Sequence, residues 1–195
     1  MATNQDERKI YGVYTNSVLN MKVSLPIREV GKNSKQNLER AISNKTEGKC
    51  ISEGFIRPDS VRVISYSNGV VNNEYVEFQT VFECMVSHPV EGMLIECVTK
   101  TITKAGIHAE VKDETGIVPI TVFVARDHHI NNNVFMNVKE TDKIVVSVIG
   151  VRFQLNDPFI SVLADIVSKK NTTNIYTNND RVKKPRIEVV DSDEN

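Results

Sequence analysis

The stretch that decides the fold is Tyr75–Gly92, which reads YVEFQTVFECMVSHPVEG. Apolar side chains recur at every second position and share one face: Val76, Phe78, Phe82, Cys84 and Val86. The other face carries Glu77, Gln79 and Glu83, with Thr80 as an exception on the apolar side. A period of two with one wet face predicts a strand of an antiparallel sheet that is covered on one side only. The polar sequence 88–92 that follows, with Pro89 and Gly92, predicts a boundary between two units.

Upstream of this strand the sequence predicts a small sheet and one short helix. Strand character is found at residues 11–18, 21–27, 49–56 and 61–66, and turn residues occupy 57–60 and Asn68-Gly69. The helix begins at Asn33, where Gln36 follows as in a capping box, and ends near Gly48. We assign residues 1–88 to a first, N-terminal unit.

Downstream, five strand-like stretches predict a small closed barrel over residues 89–168. They span 93–101, 102–111, 117–125, 142–153 and 159–166, and the second contains the glycine kink Lys104-Ala105-Gly106. Five strands with a glycine bend fit a five-stranded barrel of OB type. Residues 127–137 are predicted to be polar and irregular, and 169–195 to form a disordered or extended charged tail. The predicted fold class is α+β, mostly β.

Composition narrows the class of protein. The chain has 195 residues, 40% of them hydrophobic, and a formal net charge of -1. It has no apolar run long enough for a membrane span, and its polar start does not resemble a secretory signal. The three cysteines, Cys50, Cys84 and Cys97, form no Cys-x-x-Cys pair and lie in apolar stretches. They predict buried thiols in a reducing compartment and argue against a cysteine zinc site.

Four quoted stretches resemble known sequences, in consistent order over residues 33–166. Gly92–Val111 (GMLIECVTKTITKAGIHAEV) is similar to the opening of the OB domain first named from a ribosomal small-subunit protein. Tyr75–Gly92 resembles the domain junction of the stalk subunit of multisubunit RNA polymerases, the family that comprises the seventh subunit of eukaryotic polymerase II and its archaeal counterpart. Val148–Asp157 (VIGVRFQLND) resembles the fourth barrel strand of that family, and residues 47–56 resemble the strand after its helix.

The resemblance implies a function as well as a fold. It implies a truncated RNA-recognition-like domain that docks on the polymerase core near the clamp, and a barrel that projects toward nascent RNA. A smaller second stalk subunit is implied across both domains, and no cofactor or catalytic residue is implied in this chain. The protein is expected inside the cell with the transcription machinery: in the nucleus or, for the version of a large DNA virus, in a viral factory and the virion.

Residues 47–60 are the predicted core-docking segment. They combine backbone-shaping residues with apolar side chains that look exposed: Gly48, Gly54, Phe55, Ile56 and Pro58. A second interpretation is that Phe55 and Ile56 fill the core of the first domain, since Phe is common both in cores and at interfaces. The sequence leaves both interpretations open.

Six side chains of the barrel are candidates for contact with RNA: Lys100, Lys104, His108, Phe123, Arg126 and Arg152. OB barrels bind single strands through basic and aromatic residues on their second and third strands. Residues 90–168 contain seven Lys and Arg against ten Asp and Glu, so the barrel lacks the basic surplus of a dedicated RNA binder. Weak, salt-sensitive RNA contact and a merely solvated barrel face both remain open.

Two rival functions stay open beside the polymerase subunit. The first is a free-standing protein that binds single-stranded RNA through its OB barrel. The second is a metal-dependent phosphoesterase using Asp127-His128-His129, although His88 and His108 have no acidic cluster beside them at ligand spacing. The basic run 181–186 of the tail is consistent with a nuclear import signal or with a solvated arm.

Overall fold

A computed structural model describes residues 12–130 and 132–170 of the chain. The elements, in chain order, are β1 (Thr15–Pro26), α1 (Ser34–Thr46), β2 (Cys50–Ile51), β3 (Gly54–Ile56), β4 (Arg62–Tyr66), β5 (Val70–Asn72), β6 (Tyr75–Ser87), β7 (Leu94–Ile102), β8 (Gly106–Val111), β9 (Ile120–Ala125), α2 (Asn133–Met136), β10 (Lys143–Arg152) and β11 (Ile160–Lys170). Single 3₁₀ turns lie at Ile27–Glu29 and Arg126–His129. No helix in this described part of the chain has the length and apolar composition to cross a membrane.

The N-terminal sheet is built around β6. One side of β6 pairs with β1 along its whole length, from Thr15 opposite Val86 to Pro26 opposite Tyr75. The other side pairs in turn with β3, β4 and β5. The predicted alternation is confirmed, and Thr80 is buried with its apolar neighbours. The two strands predicted at 11–18 and 21–27 form the single strand β1 instead, because the long strand β6 provides continuous pairing.

Helix α1 covers one face of this sheet. Leu38 and Ile42 are fully buried, as their helical spacing predicts. The predicted capping box is wrong, because the side chain of Asn33 makes no capping hydrogen bond. Ser34, the first residue of the helix, instead fixes the chain before it: its hydroxyl donates to the Gly31 carbonyl at 2.7 Å and accepts from the Gly31 amide at 2.8 Å. Gly48 follows the helix with a φ of 70°, a conformation that favours glycine.

The second half closes into a five-stranded barrel in the order β10-β11-β9-β8-β7, which confirms the predicted OB-type architecture. Only the β11–β9 pair is parallel. The interior is filled by β-branched side chains, with Ile107, Val124 and Ile144 fully buried. The predicted kink Lys104-Ala105-Gly106 inside one strand is instead the turn between β7 and β8. Gly106 begins β8, where a Cβ would lie 2.2 Å from the Val124 carbonyl oxygen.

The segment before β10 corrects the prediction of an irregular polar loop. It contains the 3₁₀ turn Arg126–His129 and the short helix α2, whose Asn132 side chain accepts from the Val134 and Phe135 amides. Strand β11 continues to Lys170, so the predicted tail does not begin at Lys169. The rest of that tail, including the basic run 181–186, lies outside the described residues.

A joint of main-chain and side-chain contacts connects the sheet to the barrel. The Cys50 amide donates to the Asp157 carbonyl, and the Asn156 amide donates to the Cys50 carbonyl, both at 2.8 Å. Phe55, on β3, is 1% exposed and belongs to the hydrophobic cluster of the barrel, whereas its neighbour Ile56 belongs to that of the N-terminal sheet. The expectation that Phe55 and Ile56 are exposed is therefore wrong, because the two side chains fill two cores that meet at this strand.

Candidate nucleic-acid interface

A groove of about 590 Å³ crosses the outer surface of the barrel over β7, β8, β9 and the start of β11. We call it the barrel groove. Its lining combines basic, aromatic and hydroxyl side chains, among them Lys100, Thr103, His108, Thr121, Phe123 and Ser161. Three of the six predicted RNA-contact residues lie in this groove. The period of two along β8 and β9 explains their position, since Ile107 and Val124 point into the core and their neighbours point outward.

His108 and Phe123 form a ring pair in the barrel groove. They are directly opposite each other in the β8–β9 register, and their ring centroids lie 4.8 Å apart at an angle of 44°. His108 is exposed and Phe123 half-buried, so the pair offers a ring face to the solvent. Nucleic-acid bases stack on such faces with little sequence preference. Two of the six predicted candidates for RNA contact are thus neighbours in the fold.

Acidic side chains reduce the positive charge of the groove. Lys100 makes an ion pair with Glu110, and Lys112 approaches the same carboxylate at 3.5 Å. The hydrogen bond from Lys100 lowers the pKa of Glu110 against the opposing effect of burial. Lys100 therefore already has a counter-ion before any phosphate arrives. Lys104 is exposed at the β7–β8 turn and makes no ion pair with the described residues.

The two predicted arginines occupy different places. The guanidinium of Arg126 donates to the carbonyls of Lys104 and Thr103 at 2.8 and 3.0 Å, so it is engaged with the β7–β8 turn. Arg152 is exposed at the end of β10, opposite Ser161 of β11 and thus at the edge of the barrel groove. The structure brings the candidates to one side of the barrel, with Lys104 and Arg126 next to the groove.

The two histidines of the phosphoesterase alternative lie in different surroundings. His129 is 5% exposed, its Nδ1 lies 2.8 Å from the Ala125 carbonyl, and its Nε2 accepts from the Ile166 amide at 3.0 Å. Both ring nitrogens thus face main-chain partners, and Nε2 also lies 3.5 Å from Asp165 Oδ1. His128 is exposed, with Nδ1 4.0 Å from the Asp165 carboxylate. Within residues 12–130 and 132–170, no three His, Cys, Asp or Glu side chains are grouped to hold a metal ion.

Sequence reasoning missed this buried role of His129, and little in the sequence points to it. The ring stacks on Phe135 of α2 at 5.2 Å and 14°. The hydrogen-bond partners of His129 are a main-chain carbonyl and a main-chain amide of β11. Main-chain groups are the same in every residue, so a sequence pattern cannot reveal such contacts. The short apolar run Val134-Phe135-Met136 within a polar stretch was the available signal that something in this segment is buried.

The predicted core-docking residues lie at the joint. Gly54 packs so closely that a Cβ would lie 2.3 Å from the Ser87 carbonyl oxygen, while Gly48 faces Pro58 at 3.8 Å. Beside them lies a groove of about 500 Å³, here called the joint groove. It is lined by residues of the sheet and of the β10–β11 turn, among them Val18, Met21, Lys45, Ile51, Glu53 and Leu155.

A second apolar surface lies at the end of the sheet that is farthest from the barrel. We call it the tip patch, and its members are 43–68% exposed: Ile27, Tyr66, Val70, Val71 and Tyr75. They share one end of the sheet but not one face, because Val70 and Val71 are successive residues of β5. The backbone fixes this end: Ile27 donates to the Glu74 carbonyl at 3.0 Å, and Val71 pairs with Val76. Tyr66 is fixed by an edge contact with Phe78 at 5.9 Å.

No family model matches the chain. It is 24% identical, over 166 residues, to a protein of Acanthamoeba polyphaga mimivirus that is named, provisionally, as a DNA-directed RNA polymerase subunit; the match covers 80% of this chain and 82% of that protein. It is 25% identical, over 111 residues, to DNA-directed RNA polymerase II subunit 7 of Arabidopsis thaliana, covering 56% of this chain and 60% of the relative. The predicted resemblance to RNA polymerase subunits is confirmed by these two relatives.

Proposed function

We propose that the chain is a non-catalytic stalk subunit of a DNA-directed RNA polymerase, which docks on the core enzyme near the clamp and holds its barrel toward nascent RNA. One observation carries the proposal: a closed barrel with a ring-lined groove is joined to a second sheet, in a chain similar over 80% of its length to a protein named as a polymerase subunit. The catalytic site would lie in other subunits, and the protein would act wherever transcription takes place, in the nucleus or a viral factory.

The tip patch is the proposed docking surface for the polymerase core. Val70 and Val71 are 66% and 68% exposed on opposite faces of β5, and this much exposed apolar area at one end of a sheet is typical of a surface that a partner covers. Tyr66 and Tyr75 add aromatic area, which is enriched at protein interfaces. The predicted segment 47–60 contributes indirectly, since its buried residues set the angle between the docked sheet and the barrel.

The joint groove is the proposed seat of a second, smaller stalk subunit. Its lining comes from both halves of the chain, so one ligand segment in it would contact the sheet and the barrel together. Val18 and Leu155, on opposite walls, are 61% and 70% exposed. An apolar segment of a partner would bury both of them. Lys45 and Glu53 at the rim offer charged contacts to the same segment.

Contact between the barrel groove and nascent RNA would be weak. The ring pair supplies stacking, but the barrel as a whole has a net acidic balance, and Lys100 is paired with Glu110. Because phosphate neutralisation by Lys and Arg provides most non-specific affinity, binding would depend on RNA held nearby by the polymerase. We therefore expect a low affinity that decreases further as salt rises, by a slope that reflects few phosphate contacts.

Purification of the tagged chain from its native source tests the proposal. The wild-type chain should bring down the large polymerase subunits near physiological salt. The double variant Val70→Ser/Val71→Ser should lose them, whereas Leu155→Ser should keep them and lose only a small second subunit. Both variants change exposed side chains, so their stability should match the wild type. Wild-type chain that brings down RNA or ribosomal components without polymerase would reject the stalk function.

The alternative is a free-standing RNA-binding protein. It is favoured by the fact that both rings of the His108–Phe123 pair belong to the barrel, so the N-terminal sheet is not needed to form the groove. That protein would bind single-stranded RNA tightly as an isolated chain. Binding that survives physiological salt without any polymerase subunit would favour this alternative over the stalk subunit.

A further inference from the structure

All three carbonyl groups of the turn between β7 and β8 accept hydrogen bonds from one residue, Arg126. Its Nε donates to the Lys104 carbonyl at 2.8 Å and its Nη2 to the Thr103 carbonyl at 3.0 Å. Its own amide donates to the Ala105 carbonyl at 2.9 Å. A guanidinium has a rigid fork of donors, so two bonds to neighbouring carbonyls fix both the turn and the side chain.

The guanidinium of Arg126 packs on two stacked aromatic rings, those of Phe135 and His129. Its guanidinium carbon lies 5.4 Å from the centre of the Phe135 ring, and Phe135 stacks on His129 at 5.2 Å. His129 in turn accepts the Ile166 amide of β11 at 3.0 Å. We call Arg126, Phe135 and His129 the brace. The brace connects an exposed turn to the barrel wall through two buried rings. A turn held only by its own backbone would have no such connection.

The braced turn lies at one end of the barrel groove. Thr103 lines that groove and also the adjoining depression that Lys104 and Arg126 share. Lys104 is exposed there, and no described carboxylate pairs with it, in contrast to Lys100. A lysine whose backbone is already fixed loses less conformational entropy when it meets a ligand. Its ammonium suits a phosphate that follows a base stacked on the His108–Phe123 pair.

We propose that Arg126 is a positioning residue that holds Lys104 at the end of the barrel groove, where Lys104 contacts the phosphate backbone of single-stranded RNA. This inference rests on the proposed RNA contact of the barrel. It changes the role expected for Arg126, because two donors of its guanidinium serve the turn and its face serves Phe135.

Binding of a labelled single-stranded oligouridylate by the full-length chain, measured over a series of salt concentrations, tests the role of Arg126. Lys104→Ala should make the slope of log affinity against log salt shallower by about 0.7, the amount for one lost phosphate contact on a single strand. Arg126→Met should cause a similar change, and the double variant should cause no more than Lys104→Ala alone. Arg126→Lys keeps the charge but loses the fork, so it should behave as Arg126→Met does.

Amide hydrogen exchange of the turn, measured by NMR, supplies an RNA-independent readout. Thr103 and Gly106 amides donate within the turn, at 2.8 Å to the Gly106 carbonyl and 3.2 Å to the Thr103 hydroxyl. These two amides should exchange faster in Arg126→Met and Arg126→Lys, whereas their exchange rates in Lys104→Ala should equal those of the wild type. Arg40→Met, which changes an exposed arginine on α1, is the matched control and should alter neither readout.

The outcomes separate the inference from the function on which it rests. Slope changes that add in the double variant would show that Arg126 contacts phosphate directly, and would overturn the positioning role. Unchanged exchange in both Arg126 variants would overturn it as well. If the wild-type chain binds no oligouridylate at low salt, the proposed RNA contact itself fails, and Arg126 then positions nothing for RNA.

Discussion

At the scale of single residues, the His108–Phe123 pair has the most direct consequence. Phe123→Ala removes the half-buried ring that supports His108, so we expect a loss of single-stranded RNA affinity of about 1–3 kcal/mol, the usual value for one stacked base. Fluorescence anisotropy at low salt measures the change. Phe159→Ala, an exposed phenylalanine of the barrel outside the groove, is the control and should bind as the wild type does. Equal affinity of both variants would reject the ring pair as a stacking platform.

Asp113 is the residue whose charge stabilises the joint. Its Oδ1 accepts from the Thr115 amide and hydroxyl and from the Ile117 amide, at 2.7–2.9 Å. Its Oδ2 accepts from the Tyr14 hydroxyl at 3.3 Å and lies 3.8 Å from Arg57 Nε, both of which belong to the N-terminal half. Burial would raise the pKa of Asp113, but the hydrogen bonds from Thr115, Ile117 and Tyr14 outweigh it and lower the pKa.

We predict that Asp113→Asn lowers the free energy of unfolding by about 1.5–3 kcal/mol at neutral pH, the range for hydrogen bonds to a charged group. A carboxyl whose pKa is lowered on folding stabilises the fold above its unfolded pKa and stops doing so as pH falls through the folded pKa. The difference between variant and wild type should therefore shrink below about pH 4. Urea denaturation over a pH series checks this, with the exposed Asp127→Asn as the control. A difference that does not vary with pH would contradict it.

At the scale of elements, β3 is constrained by its close approach to β6. Gly54 has a φ of 131°, and a Cβ there would lie 2.3 Å from the Ser87 carbonyl oxygen. We predict that Gly54→Ala lowers the free energy of unfolding by at least about 2 kcal/mol, because backbone strain of about 1–3 kcal/mol adds to the displacement of β3. Gly150→Ala is the matched control, since nothing lies within 4 Å of its Cβ position. Urea denaturation of both variants compares them, and equal stability would show that β3 can shift at little cost.

The elements also show which structural features a sequence can predict. Strand β6 was predicted because its signal is local, an alternation of period two. Gly106 was predicted to kink a single strand, but it begins β8 after a turn, because a glycine marks a break without showing whether the chain bends or reverses there. The cluster in which Phe55 packs was not predicted. Two hydrophobic clusters lie within reach of β3, and only long-range packing decides between them. The turn contacts of Arg126 were missed for a different reason: its partners are carbonyl groups, which every residue carries.

The same limit applies to the candidate site. His108 and Phe123 were candidates because OB barrels bind single strands through residues of their second and third strands, and the register of β8 and β9 puts the two opposite each other. Residue types alone could not show that Lys100 is paired with Glu110, because that contact depends on which strands become neighbours. A basic residue in a sequence is therefore a candidate for RNA contact only until its neighbours in the fold are known.

At the scale of the whole molecule, the sheet and the barrel share one buried joint. Phe55 enters the barrel cluster from the N-terminal sheet, and Cys50 exchanges main-chain hydrogen bonds with the β10–β11 turn. The ring centroids of His88 and Phe153 lie 6.3 Å apart in an edge contact. A stalk that transmits position from the tip patch to the barrel groove needs such stiffness, because a flexible hinge would leave the groove free to move relative to the core enzyme.

A shared joint predicts that the two halves unfold together. Phe55→Ala leaves a cavity among buried side chains of the barrel cluster, and we expect it to lower the free energy of unfolding by about 3–5 kcal/mol. Although the substitution lies in the N-terminal half, amides of β8 and β9 should lose as much protection as those of β6, since a cooperative unit opens as a whole. Hydrogen exchange with mass spectrometry resolves the two halves, and Phe159→Ala should leave both unchanged. Lost protection confined to β6 would show that the barrel is stable without the sheet, and the groove would then be free to turn at the joint.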